Sequence, residues 1–223
     1  MDRVFTFGNE PASAGHWVVV AVGEPNPDQR HIGVMHRDRN ASYHFLHLAW
    51  HCLLRNDADR PAYLSVWVAP NVPAERQRTI AAFCRRVWRK NERNGIPYAF
   101  SNPQGAFDPA SGAFLIGPSR FGLTCSSFVL AVLHAAGLQV ADYSTWPAGR
   151  AGDREWQQKI ILDLESQQTE QVHIEHLRSE IGTVRFRPEE VAAATVHAPP
   201  AVGFQQAEEL GRQILNQIRG SQF

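Results

Sequence analysis

One cysteine and two histidines carry the residue types and spacing that could do chemistry in this chain. Cys125 stands in Gly122-Leu123-Thr124-Cys125-Ser126-Ser127-Phe128-Val129. Phe128, Val129, Val132, Leu133 and Ala136 recur at helical spacing, so a helix is predicted from Cys125 to Ala136, closed by Gly137. Thr124 is a residue of the kind that caps a helix. Cys125 then falls in the first turn, where unpaired backbone N–H groups and the positive end of the helix dipole lie. A thiolate is stabilised there, so the thiol pKa is expected to drop below that of free cysteine. The same N–H groups can hold the oxyanion that forms when a thiolate attacks a carbonyl. The plain alternative is a small, buried, inert cysteine at a helix start.

A thiol nucleophile needs a base, and the base needs an orienting group. His31-Ile32-Gly33-Val34-Met35-His36 reads as a short strand, and Tyr43 to Trp50, which contains Phe45-Leu46-His47-Leu48-Ala49, reads as another. If the two form a hairpin across the polar turn Arg37-Asp38-Arg39-Asn40, His31 and His47 are expected to be cross-strand neighbours. His47 would then set the tautomer of His31. His44, three residues before His47, is the alternative for this third position. His36 is a further candidate base, although its place beside the turn suggests a surface side chain. Tyr98, in Ile96-Pro97-Tyr98, and Thr124 are the candidates for the oxyanion or the cleft. A core tyrosine with a satisfied hydroxyl is the competing reading of Tyr98.

The elements that must position these groups follow from patterning. His16 to Val22 is β-branched and ends at Gly23; Tyr63 to Val68 alternates and ends at Pro70. Antiparallel pairing is expected because the connections are short. Pro73 sits where a first helical residue would, ahead of Ile80, Phe83, Cys84, Val87 and Trp88 at helical spacing, and Gly95 and Pro97 supply the stop. Residues 99 to 122 are rich in Gly, Pro, Ser and Asn and read as a long loop, a feature that is usually functional. Beyond residue 150, Trp156–Leu164, Val172–Ile181, Pro188–Thr195 and Phe204–Ile218 read as amphipathic helices. The fold class expected is α+β, an antiparallel sheet packed against helices, with residues 1–149 as the catalytic domain and 150–223 as a helical extension on its core.

The order of these motifs is similar to one family. His-x-Gly-Val, a turn, Leu-His-Leu-Ala, a strand, a helix, Pro-Tyr, a loop and Cys-x-x-Phe-Val resembles the circularly permuted, papain-like branch of the NlpC/P60 superfamily. That branch includes the lecithin:retinol acyltransferase-like proteins and bacterial proteins of the YiiX/YaeF type. The resemblance covers residues 14 to 137. It implies Cys125 as nucleophile, His31 as base and His47 as the orienting residue of a thiol (cysteine) hydrolase, a peptidase or amidase working through an acyl-enzyme. It equally admits a lipid or amide acyltransferase, or an inactive papain-like binding module. Thr124 stands where some relatives carry Asn or Tyr. The expected substrate is a peptide, an amide or an acyl ester.

Composition narrows the other classes. The chain has 223 residues, 43% of them hydrophobic, enough for a full core. Lys plus Arg and Asp plus Glu are equal at 22 each, so no nucleic-acid partner is expected. No apolar run approaches the roughly 18 residues of a membrane span. The N-terminus lacks the apolar stretch of a signal peptide. The expected location is cytoplasmic, or a destination reached by a secretion route that reads no N-terminal signal. Three widely spaced cysteines do not suggest a disulfide framework. His44, His47 and His51 beside Cys52 would share a face if residues 43–54 were helical, but no paired metal motif accompanies them, and no metal or cofactor is expected. Cys84 reads as core, and His173 and His176 as solvated. A protein partner through the C-terminal helices remains an open expectation.

Overall fold

A computed structural model of the chain describes residues 3–8, 10–11, 14–115 and 121–220. Six strands form one antiparallel sheet in the order β1-β6-β2-β3-β4-β5. They are β1 (Val4–Thr6), β2 (Val18–Asn26), β3 (Gln29–Arg37), β4 (Tyr43–Trp50), β5 (Leu53–Asp57) and β6 (Leu64–Val68). β2 is central and buried on both faces, which is why Val18-Val19-Val20-Ala21-Val22 reads as an unbroken apolar run. Val18, Val20, Val22, Ile32, Val34, Leu46 and Leu48 point to the large core. Val19, Ala21, Met35, Phe45 and Trp67 point the other way, into a smaller cluster edged by Phe5, Phe7, Tyr43 and Tyr63.

Six helices complete the α+β fold: α1 (Ala74–Asn91), α2 (Cys125–Ala135), α3 (Asp153–Ser166), α4 (Gln171–Ser179), α5 (Pro188–His197) and α6 (Phe204–Gly220). Pro73 is the residue before α1 rather than its first turn, with φ −57° and ψ 155°. Residues 43–54 are strand and turn, which removes the helical face that would have gathered His44, His47 and His51. The C-terminal helices are not peripheral. α5 packs on β2, β3, β6 and α2, α6 packs on α5, β2 and β6, and Leu164, Ile174, Leu177, Val191, Ile214 and Ile218 belong to the same apolar core as Val20 and Phe128. No helix among the described residues is long and apolar enough to cross a membrane.

Candidate active site

Cys125 is the first residue of α2. Thr124 caps that helix: its hydroxyl accepts the Ser127 N–H at 3.1 Å, and the Ser127 hydroxyl accepts the Thr124 N–H at 2.8 Å. This reciprocal cap occupies the third N–H of the turn and leaves those of Cys125 and Ser126 for the site. The Cys125 side chain is nearly buried, at 8% exposure. Its sulfur lies beside the backbone of Ile32, the residue next to His31 on β3, and beside Ser126. Burial pushes the thiol pKa up, against the opposing pull of Ile32, Ser126 and the Arg185 charge. The lowered thiol pKa expected from the helix start is therefore not met, because the cost of desolvating a thiolate here exceeds what those donors and the nearby cation return.

β3 and β4 form the expected hairpin, with Val34 opposite Leu46 and His36 opposite His44. In that register Gly33 faces His47. A Cβ on Gly33 would come within 2.7 Å of the His47 Cβ and the Phe45 ring. The small residue in His-x-Gly-Val is thus a space requirement that lets His47 lean diagonally to His31. The two imidazoles meet at 2.7 Å, His31 Nε2 to His47 Nδ1. His47 Nε2 lies 3.0 Å from Asp57 Oδ2.

Proton positions follow along this chain. Partial burial acts to raise the Asp57 pKa, but hydrogen bonds and charge from His47 and Arg55 outweigh it and hold the carboxyl below its usual range. An ionised Asp57 can only accept, so His47 donates from Nε2 and accepts at Nδ1. His31 then donates from Nε2, which leaves Nδ1 as its free lone pair. Burial, with the neighbouring His47, pushes the His31 pKa down to about 3, and burial also lowers that of His47 despite Asp57. Both rings are neutral at pH 7.

His31, His47, Cys125, Thr124 and Tyr98 all line one cavity of about 250 Å³. Tyr98 is buried, and its hydroxyl lies in the immediate neighbourhood of Cys125. It is a core tyrosine that lines the cavity beside Cys125. The segment carrying it is laced to the strand of chain entering α2: Leu123 donates to the Pro97 carbonyl at 3.0 Å and Ala99 to the Leu123 carbonyl at 3.3 Å.

Other candidates separate from this site. His44 sits opposite His36 with its Nε2 3.4 Å from Asp38, away from the cavity. His36 is fully buried, not a surface residue, and reaches Asn56 at 2.9 Å. Cys84 is buried in the core with its pKa pushed up to about 12, and Cys52 is exposed. His173 and His176 are not merely solvated. His173 Nε2 donates to the Tyr98 carbonyl at 2.8 Å, while His176 stacks on Phe121 with ring centroids 3.6 Å apart.

Three residues of the site escaped the sequence reading: Asp57, which stands behind His47 and ends the relay, and the lining residues Tyr63 and Arg185, the latter from the C-terminal third. Asp57 belongs to a polar edge strand that the sequence pattern does not mark, and nothing in the spacing of Arg185 points towards Cys125. No group of three or more His, Cys, Asp or Glu among the described residues could hold a metal ion. Comparison with known proteins finds no matching family model, no similar curated protein and no similar solved structure.

Proposed function

We propose that this chain is a cysteine hydrolase that cleaves an amide or peptide bond through an acyl-enzyme on Cys125. One observation carries the reading. A linear relay, Asp57–His47–His31, terminates in the cavity that holds a helix-start cysteine, and its hydrogen bonds leave an unprotonated nitrogen on His31. The sulfur and the imidazole both rest uncharged, so attack and proton transfer are coupled. His31 Nδ1 takes the thiol proton as the sulfur adds to the carbonyl carbon. The positive charge that develops on His31 is passed through His47 towards Asp57 by hydrogen-bond polarisation. The oxyanion is met by the Cys125 N–H and the Tyr98 hydroxyl. The tetrahedral intermediate collapses, the proton moves from His31 to the leaving amine, and water then releases the acid by the reverse sequence.

The test uses an activated ester, 4-nitrophenyl acetate, followed by intact-mass and peptide mapping. Acetyl transfer to Cys125, abolished in Cys125→Ser and strongly slowed in His31→Ala, is the expected result. Acylation spread equally over Cys52 and Cys125, or none at either, would overturn the reading and leave a binding role.

A further inference from the structure

The cavity beside Cys125 has one charged wall. Arg185 lines it, and its side chain is only 10% exposed. A guanidinium carries five N–H donors. Among the described residues Arg185 spends one on a side chain, from Nη1 to Asp153 at 3.3 Å. That carboxylate is already shared with Arg150 at 3.0 Å and Arg187 at 2.9 Å. Arg150 also pairs with Glu190, and Arg30, a further lining residue, pairs with Glu189 at 3.0 Å. Four guanidinium groups thus face three carboxylates, and Arg185 is the cation left least matched beside the reacting sulfur. Trp156 covers one face of it, with Cζ 3.9 Å from the ring centroid, which fixes the plane and leaves the edge to make contacts.

We propose that Arg185 binds a carboxylate of the substrate, so that the amide cleaved at Cys125 is one whose acyl portion carries a free carboxylate within a few bonds of the scissile carbonyl. The inference rests on the hydrolase reading above. A planar, pre-oriented guanidinium edge matches a planar carboxylate through two parallel N–H···O bonds. Arg185 lines the same cavity of about 250 Å³ as Cys125 and Tyr98, which places the bound carboxylate next to the carbonyl under attack.

The test compares two activated esters of equal length: the mono-4-nitrophenyl ester of glutaric acid, and the same compound with its free acid capped as a methyl ester. The wild-type protein is expected to acylate from the free acid about tenfold faster than from the capped ester. Arg185→Met is expected to lose that preference: slowing shared by both esters reports the loss of its charge beside the sulfur, and a further loss of about tenfold falls on the free acid alone. Arg185→Lys keeps the charge but not the fork and is expected to keep only part of the preference. Arg150 and Arg187 still neutralise Asp153 in these variants, and a thermal melt checks that they fold. Equal slowing of both esters in Arg185→Met would assign Arg185 to electrostatic support of the sulfur and overturn carboxylate recognition. Failure of every ester to acylate Cys125 would sink the hydrolase reading instead. Calorimetry with glutarate then still decides the binding claim: the expected result is binding by wild type that weakens about tenfold in Arg185→Met. No glutarate binding, or tighter binding of inorganic phosphate, would overturn it.

Discussion

The β3–β4 hairpin carries two histidine pairs, and only one of them shares a cavity with a thiol. His36 and His44 are directly opposite each other, with rings stacked at 5.9 Å. His31 and His47 are diagonal and hydrogen-bonded at 2.7 Å. The pairs use the same residue type on the same two strands, yet they differ in what lies behind and in front. Behind His47 is Asp57, a carboxylate that dictates which nitrogen donates. Behind His36 is Asn56, the adjacent residue on β5, whose side-chain carbonyl accepts a hydrogen bond without supplying charge. In front of His31 is a cavity with a thiol; the hollow that His36 and His44 line holds Arg85 and Arg89 and no nucleophile. A histidine pair acquires a direction only from its third partner, and a use only from the group it faces.

The largest expected effects break that contrast. His31→Ala should slow acylation of Cys125 by about 10³-fold, since a positioned general base contributes on this scale. His36→Ala should leave the rate within about threefold but lower stability by about 1–3 kcal/mol, because it empties a buried, hydrogen-bonded site. Asp57→Asn sharpens the point. An amide nitrogen offered to His47 Nε2 forces the His47 proton to Nδ1. His31 must then accept at Nε2 and carry its own proton at Nδ1, where the base is needed. The rate should fall on the order of 10³-fold with the fold intact. Burst kinetics with 4-nitrophenyl acetate and a thermal melt measure both quantities. An Asp57→Asn protein with normal acylation would show that the relay has no direction.

How much of this was legible beforehand depends on burial and polarity. β4 reads correctly from Tyr43 to Trp50 because its apolar residues border polar turns. α2 reads correctly because a hydroxyl cap precedes an apolar stripe, and the structure builds the cap as expected. β5 is invisible: Leu-Leu-Arg-Asn-Asp is an edge strand with exposed positions, and its hairpin turns through Cys52 at φ +54° instead of Asn-Gly or Gly. Missing that strand hid Asp57, the group that orients the relay. The helices after residue 150 are legible one by one, but amphipathicity does not say against what they pack. Hence Arg185, beside the sulfur in space, has no sequence mark that singles it out. The thiol pKa was misjudged for a similar reason: a helix start is a local feature, whereas burial comes from the whole fold.

Acid should act on both pairs alike in stability, yet not in the rate. Burial pushes the His36 pKa from 6.5 down to about 4, and that of His31 to about 3. The unfolded chain therefore takes up these protons first as pH falls. Stability attached to the neutral rings is complete above about pH 6.5 and is lost as pH drops towards the folded values. Removing His36 as His36→Gln should flatten the dependence of the urea midpoint on pH between 6.5 and 4 by one proton, about 1.4 kcal/mol per pH unit. The acylation rate should show no imidazole limb near pH 6.5, since His31 stays neutral until about 3. A limb at the ordinary imidazole value would place a charged, accessible ring at the site.

The smallest effect concerns a third histidine pair, His51 and His173, which is separate from the other two. His51 Nδ1 accepts the Tyr98 N–H at 3.2 Å, and His173 on α4 donates to the Tyr98 carbonyl at 2.8 Å. Their rings stand 4.7 Å apart, closing a clamp over the backbone of the tyrosine that lines the cavity beside Cys125. The next residues are tied down as well, with Phe100 N–H and the Ser101 hydroxyl both donating to Glu180. Because Glu180 remains, His173→Ala should loosen Tyr98 without releasing it, and acylation should slow by about three- to tenfold through misplacement of an oxyanion donor. His173→Gln keeps an N–H donor and should recover most of the rate. The loss should disappear in a Tyr98→Phe background, where the hydroxyl being positioned is already gone. A full loss persisting there would mean that α4 supports the site by some route other than Tyr98, and that this pair, like His36 and His44, is only structural.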